Sequence, residues 1–204
     1  MDLRTRACTP YPAVENQGSE VSCVARAFCM LLYCLKTGAG LAELPATGLP
    51  YPHVDAVFRH ALDVSHDRSR GISFAGAARA LQTLHAADLA ALGLRLVALP
   101  NDPAALRRSL ARGYPVAAGY QVNAAIAAFH QDAAHCAARG FVLPRYAPPA
   151  LSAHAVLIVG YDDKVRCFLA RNSWGGSWGV EGHFLIAYED LNNVDFFTDL
   201  AFVA

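Results

Sequence analysis

Charge is scarce in this sequence: 17% of its 204 residues are charged, 17 basic against 17 acidic, and no basic run exceeds Arg107-Arg108. A neutral chain without a basic stripe has no electrostatic footprint for nucleic acid, which is excluded as a partner. It also lacks an apolar run of bilayer length. The most apolar stretch, Val21 to Leu35, carries Arg26 and falls short of the ~18 residues a span requires, so it reads as a buried helix and no membrane is expected. The first residues, Met1 to Arg6, lead into Pro10 and Pro12 rather than into an apolar core, so no secretory signal is expected. The six cysteines (Cys8, Cys23, Cys29, Cys34, Cys136 and Cys167) are neither closely paired nor regularly spaced. They read as free thiols of the cytoplasm or another reducing compartment, with a bridge among Cys8, Cys136 and Cys167 the lesser alternative. His130, His135 and Cys136 fit no zinc spacing and are assigned to the surface or to packing, so the expectation is no metal and no cofactor. Internal repeats are absent, and so is low complexity beyond an enrichment in alanine.

What is present is apolar: 54% of residues are hydrophobic, enough for a folded core in one domain over 1–204. The first part reads as helical. Helices are expected from Cys23 to Lys36, closed by Gly38, from Val54 to Leu62, and from Phe74 to Leu84 behind Ser73 as cap. Leu94 to Leu99 is a strand candidate. The second part changes character, with a short helix from Asp102 to Leu110 and then strands over 114–122, 153–161, 165–171 and 182–188. Residues 123–139 remain ambiguous between states. The fold class is therefore α+β, a helical lobe over about 17–100 followed by a β lobe over about 101–204, with 1–16 an arm lying on the body.

One stretch organises the chemistry. Gln17 to Ala25 sets an amide donor, a glycine turn and a thiol in order, at the start of a helix. Unpaired N–H groups at a helix start favour thiolate over thiol, and the thiolate is the nucleophile. Gln17 can donate to the oxyanion formed when Cys23 attacks a carbonyl. His154 begins a strand and Asn172 ends the next, so adjacent strands can hold imidazole and amide side by side. Cys23, His154 and Asn172 are then nucleophile, acid/base and orienter.

These blocks resemble the papain-like cysteine peptidases: Gln17-Gly18 with Cys23, His154-Ala155-Val156 leading to Gly160-Tyr161, and Asn172-Ser173-Trp174-Gly175 leading to Trp178-Gly179. His154 and Asn172 follow Cys23 by 131 and 149 positions (154 − 23 and 172 − 23), within the family's spacing. The resemblance implies a two-lobe fold, with a helical lobe, a β-barrel-like lobe and an active cleft between them. It implies hydrolysis of peptide bonds through a thioester acyl-enzyme, an oxyanion hole of the Gln17 side chain and the Cys23 N–H, and Trp174 shielding the bond between His154 and Asn172. Partners would be peptide or protein substrates and protein inhibitors.

Departures from the family pattern flank the nucleophile. Glu20 stands where the family has a disulfide cysteine, Val21 where a glycine lines the substrate pocket, and Val24 where a tryptophan follows the nucleophile. These make the chain more similar to stand-alone relatives of bacteria and large DNA viruses than to lysosomal enzymes. With the usual glycine-rich segment missing, Gly71 and Ile72 become the candidates for pairing with substrate backbone, alongside Val21 and Ala153. Two alternatives stay open: a papain-fold binding protein whose cleft the valines close, and an exopeptidase or transpeptidase using the same acyl-enzyme. With 22 residues ahead of Cys23 no inhibitory propeptide is expected, and restraint would fall to the arm or to the loop from Leu143 to Ala150 lying across the cleft.

Overall fold

The computed structural model describes residues 13–37, 53–65, 71–93, 95–193 and 195–203. Its centre is α1 (Cys23–Thr37), which is apolar nearly all round and correspondingly buried, with Phe28, Leu31 and Leu35 fully shielded from solvent. The expected stop at Gly38 lies outside the described residues. Helices α2 (Val54–Ser65) and α3 (Phe74–Leu84) pack on α1. Ser73 caps α3 as expected, its hydroxyl accepting the Gly76 N–H at 3.0 Å. A short α4 (Ala86–Ala91) completes this half.

The remainder builds one antiparallel sheet: β1 (Leu96–Ala98), β2 (Val116–Val122), β3 (Ser152–Asp162), β4 (Cys167–Arg171), β5 (His183–Ala187) and β6 (Phe197–Val203), in spatial order β1-β6-β2-β3-β4-β5. Between β1 and β2 runs α5 (Pro103–Ala111), its first turn held by Asp102, whose carboxylate accepts the Ala104 and Ala105 N–H groups. The ambiguous stretch 123–139 resolves into α6 (Ala124–Gln131) and α7 (Ala133–Ala138). Asn123 decides the first of these: its Oδ1 accepts the Ile126 N–H while its Nδ2 donates to the Ala147 carbonyl.

Two readings of the sequence change. The strand expected over 165–171 begins at Cys167, because the turn after Asp162 extends through Arg166, which sits at φ 53°. β6, unforeseen, wedges between β1 and β2, so the last strand of the chain lies beside its early ones.

β2 and β3 are buried on both faces, and their alternation separates two cores. Ala117, Ala155, Leu157 and Val159 face the helices α1 to α3. Val116, Ala118, Tyr120, Val156 and Ile158 face α5, α6 and the strands β4 and β5. The loop from Leu143 to Ala150 is pinned on this second side, with Leu143 and Tyr146 buried in the second core and the Leu143 N–H donating to Leu185. It therefore packs on the sheet, and none of its residues lines the openings at His154.

One buried acid opposes the fold. Asp190, in a 3-10 turn over Tyr188–Asn192, is 4% exposed and its Oδ2 has no partner. Burial, reinforced by the neighbouring Glu189 charge, pushes its carboxyl up from 3.8 to about 6, with Arg145 and the Ala187 backbone partly offsetting. A carboxyl raised in the folded state contributes stability that is complete below 3.8 and is lost as pH rises through about 6. Asp190→Asn is therefore expected to raise the denaturation midpoint at pH 7.5, by up to about 2 kcal/mol in unfolding free energy, and to leave it unchanged at pH 3.5. Equilibrium urea unfolding at the two pH values checks this.

Candidate active site

Cys23 opens α1 and faces the start of β3. Its thiol hydrogen-bonds His154, and the backbone N–H groups of Val24 and Ala155 point at the same sulfur. Burial pushes this thiol up, but the His154 hydrogen bond, its positive charge and the two N–H groups outweigh burial and hold it below the usual 9.0. Cys29, further along the same helix and without an imidazole partner, goes the other way: burial, helped by the Glu15 charge and partly offset by Arg26, pushes its thiol up to about 12.

Asn172 follows directly on β4, the neighbour of β3, and its Oδ1 lies 2.8 Å from His154 Nε2. The same oxygen accepts the Ser173 N–H at 2.8 Å, which fixes the amide orientation. Since Oδ1 can only accept, Nε2 carries a proton and Nδ1 is the atom turned to the thiol. Both residues are buried, and the Trp174 indole stacks on the His154 ring at 4.6 Å between centroids and 23° between planes. The three chemical groups, 131 and 149 positions apart in the chain, are thus brought together by α1 packing across β3.

The segment carrying Gln17 is bound to the loop carrying Asn172. Gln17 N–H donates to the Ser173 carbonyl at 2.8 Å, Gly175 N–H to the Glu15 carbonyl at 2.8 Å, and Asn16 bridges to Trp174. The Ser173 hydroxyl donates to Gln17 Oε1. With Oε1 so held, Nε2 is the remaining end of the amide and donates to the Glu20 carbonyl at 2.7 Å, while Gln17 and Cys23 line the same opening. Ser173 escaped the sequence reading, because nothing in a hydroxyl next to Asn172 says which amide it holds.

Glu20 is absent from the influences on the thiol and is paired with Arg26, whose NH2 lies 3.2 Å from Glu20 Oε2 and whose NH1 lies 2.6 Å from Glu15 Oε2. Cys136 and Cys167 are free thiols and not bridged, while Cys8 lies outside the described residues.

Two openings meet at His154, and the first of them also reaches Cys23. One, about 240 Å³, is lined by all four residues proposed from sequence to meet substrate, Val21, Gly71, Ile72 and Ala153, together with Phe74 and Thr198. Gly71 is at φ +77°, and a Cβ there would lie 2.8 Å from the Val21 carbonyl, so only glycine lets the two segments of this wall approach so closely. Gly119 forms its floor, since a Cβ would meet Phe74 at 2.9 Å and Thr198 at 3.0 Å. Val21 stands 45% exposed at the rim, so neither it nor Val24 closes the cleft. The second opening, about 750 Å³, lies on the other side of His154 among Gln17, Glu20, His130, Trp174 and Trp178. Among the described residues no cluster of three or more metal-ligating side chains occurs, and no helix is long and apolar enough to cross a membrane.

A thiol, an imidazole and an amide thus converge in a cleft between a helix and a sheet, and comparison with known proteins places the chain in a family. The family model described as papain family cysteine protease matches residues 91–202, a stretch that takes in His154 and Asn172. The chain belongs to the papain family of cysteine proteases. It is 31% identical over 85 residues, 41% of its length, to an uncharacterized peptidase C1-like protein of Acanthamoeba polyphaga mimivirus, and 33% identical over 106 residues, 48% of its length, to cathepsin Q of Rattus norvegicus. These matches span about a quarter of each relative, 26% and 27%. Xylellain, a cysteine protease from Xylella fastidiosa, shares the fold with a TM-score of 0.77 at 20% identity, covering 99% of this chain and 84% of that one.

Proposed function

We propose that the chain hydrolyses peptide bonds through an acyl-enzyme on Cys23. The observation that carries this reading is the thiol held below its usual range by His154, whose far nitrogen is 2.8 Å from Asn172. The Cys23 thiolate attacks the scissile carbonyl carbon, and the resulting oxyanion takes hydrogen bonds from Gln17 Nε2 and the Cys23 N–H. Collapse of this tetrahedral species breaks the C–N bond as His154 Nδ1 gives its proton to the leaving amine. The product is a thioester. Water then attacks the thioester, losing its proton to His154 Nδ1, and the acid product leaves as the thiolate is restored.

Peptide is the substrate class that the flanking openings favour. Gly71 and Ile72 offer backbone for pairing with an extended chain, while Val21, Ala153, Phe74 and Thr198 surround a side chain of moderate size. The open rim at Val21 speaks against a binding protein with a closed cleft.

The test is covalent labelling. A peptidyl epoxide that alkylates thiolates is expected to add once per chain, at Cys23, between about pH 5 and 8, leaving Cys29 and Cys34 untouched, and Cys23→Ala should take up none. Intact-mass and peptide mapping read the result. No label on the folded wild-type protein anywhere in that range would overturn the reading.

A further inference from the structure

Behind His154 stands a second imidazole that the mechanism above does not use. His130 ends α6 and lines the larger opening. Its Nε2 lies 3.1 Å from the hydroxyl of Tyr120, a residue of β2 with no exposed surface, set directly opposite His154 in the β2–β3 register. Its carbonyl accepts the Trp178 indole N–H at 3.1 Å. Its ring meets Trp174 edge to face, 4.7 Å between centroids at 74°, while the face of Trp174 lies on His154. The rings of His130 and Tyr120 also stand at steep angles to His154, 5.5 and 5.8 Å away.

We propose that Tyr120 and His130 form a positioning pair, whose hydrogen bond sets the His130 ring edge-on against Trp174 and so keeps the indole flat over His154. The proposal rests on the reading of His154 as acid/base, and extends it to residues that never touch substrate.

The direction of the bond follows from burial. Tyr120 is fully enclosed, and among the described residues the partner of its hydroxyl is His130, so the phenol donates and Nε2 accepts. His130 is therefore a neutral imidazole protonated on Nδ1. Burial, with the nearby positive charge of His154, pushes His130 down to about 3, and burial pushes Tyr120 up, with the Cys23 charge adding to it. Those are the charged groups bearing on the pair. Both members thus keep one protonation state wherever the thiolate–imidazolium pair exists. A cation at His130 would oppose the imidazolium of His154, and a ring free to rotate would let Trp174 tilt and admit water from the larger opening to the His154–Asn172 bond.

Two measurements test this. Long-range ¹⁵N–¹H spectra of the unmutated protein should show His130 neutral, with the proton on Nδ1, down to about pH 4. A proton on Nε2, or titration near the ordinary histidine value, overturns the pair. In kinetics, Tyr120→Phe and His130→Phe are each expected to lower kcat about tenfold with KM within about twofold, and the double variant to lose no more than either single one. His130→Gln, whose amide oxygen can accept from Tyr120, should recover at least half of the loss. Wild-type kcat in a folded Tyr120→Phe variant, or losses that multiply in the double variant, overturns the proposal. Failure of wild-type Cys23 to alkylate would instead overturn the peptidase reading, and the tautomer of His130 would still decide the pair.

Discussion

Replacing His154 by alanine is expected to lower peptide hydrolysis roughly 10,000-fold and to move alkylation of Cys23 to alkaline pH. The two effects have one origin. In the native protein the largest influence on the thiol is burial, which favours the neutral form. The His154 hydrogen bond and charge are the next two, and both favour thiolate. Removing the imidazole takes both away and leaves burial opposed by the N–H groups of Val24 and Ala155 alone. The midpoint for alkylation, below 9.0 in the wild-type protein, should then rise to 9.0 or above. The acid/base role in expelling the amine disappears at the same time, so raising the pH restores labelling of the variant without restoring turnover. Rates of alkylation and of hydrolysis measured from about pH 5 to 10 on the same preparations separate the two functions. Unshifted alkylation in a folded variant would mean that another group ionises the thiol.

Gln17→Ala is expected to behave in the opposite sense. The Gln17 amide hydrogen-bonds the Glu20 carbonyl and the Ser173 hydroxyl and is absent from the influences on the thiol, so alkylation by an epoxide should keep its wild-type pH dependence. Hydrolysis should fall about 100- to 1,000-fold, the loss associated with deleting one oxyanion donor, and mostly in kcat, because the negative oxygen exists only on the way to and from the tetrahedral species. The geometry supports this division. Ser173 holds Oε1 and the Gln17 N–H is anchored on the Ser173 carbonyl, so the proposed donor is fixed in orientation without substrate. Equal losses of alkylation and hydrolysis in Gln17→Ala would point instead to collapse of the strap between residues 15–17 and 173–175. Thermal unfolding of the variant distinguishes that outcome.

The two expectations also show why some parts of this protein are readable in one dimension. Helix α1 announces itself through a long apolar run, α3 and α5 through Ser73 and Asp102 at their starts, and β2 and β3 through runs apolar on both faces. Each is a local property, decided by side chains a few positions apart. That Cys23, His154 and Asn172 come together was legible for a related reason: each lies near the end of such an element, within a block of neighbours of distinctive composition. The stretch 123–139 was not legible, since its alanines suit either state and the Asn123 cap acts partly through the distant Ala147 carbonyl. β6 was not legible either, because a strand at the end of the chain is defined by the slot between β1 and β2 that receives it.

By itself, then, the sequence determined the family resemblance and the placement of its candidate groups: a thiol at a helix start, an imidazole on one strand, an amide just past its neighbour, and a second amide ahead of the thiol. Tertiary structure alone decided how these groups are held. That Ser173 holds Gln17, that Arg26 pairs with Glu15, that Asn172 meets His154 and that Tyr120 hydrogen-bonds a histidine set edge-on to Trp174 all depend on contacts between segments apart in the chain. The physical reason is range. Helix caps and strand alternation are set by neighbours in sequence, whereas the partner of a buried polar group is whichever residue the packing of sheet and helices places within 3 Å or so of it.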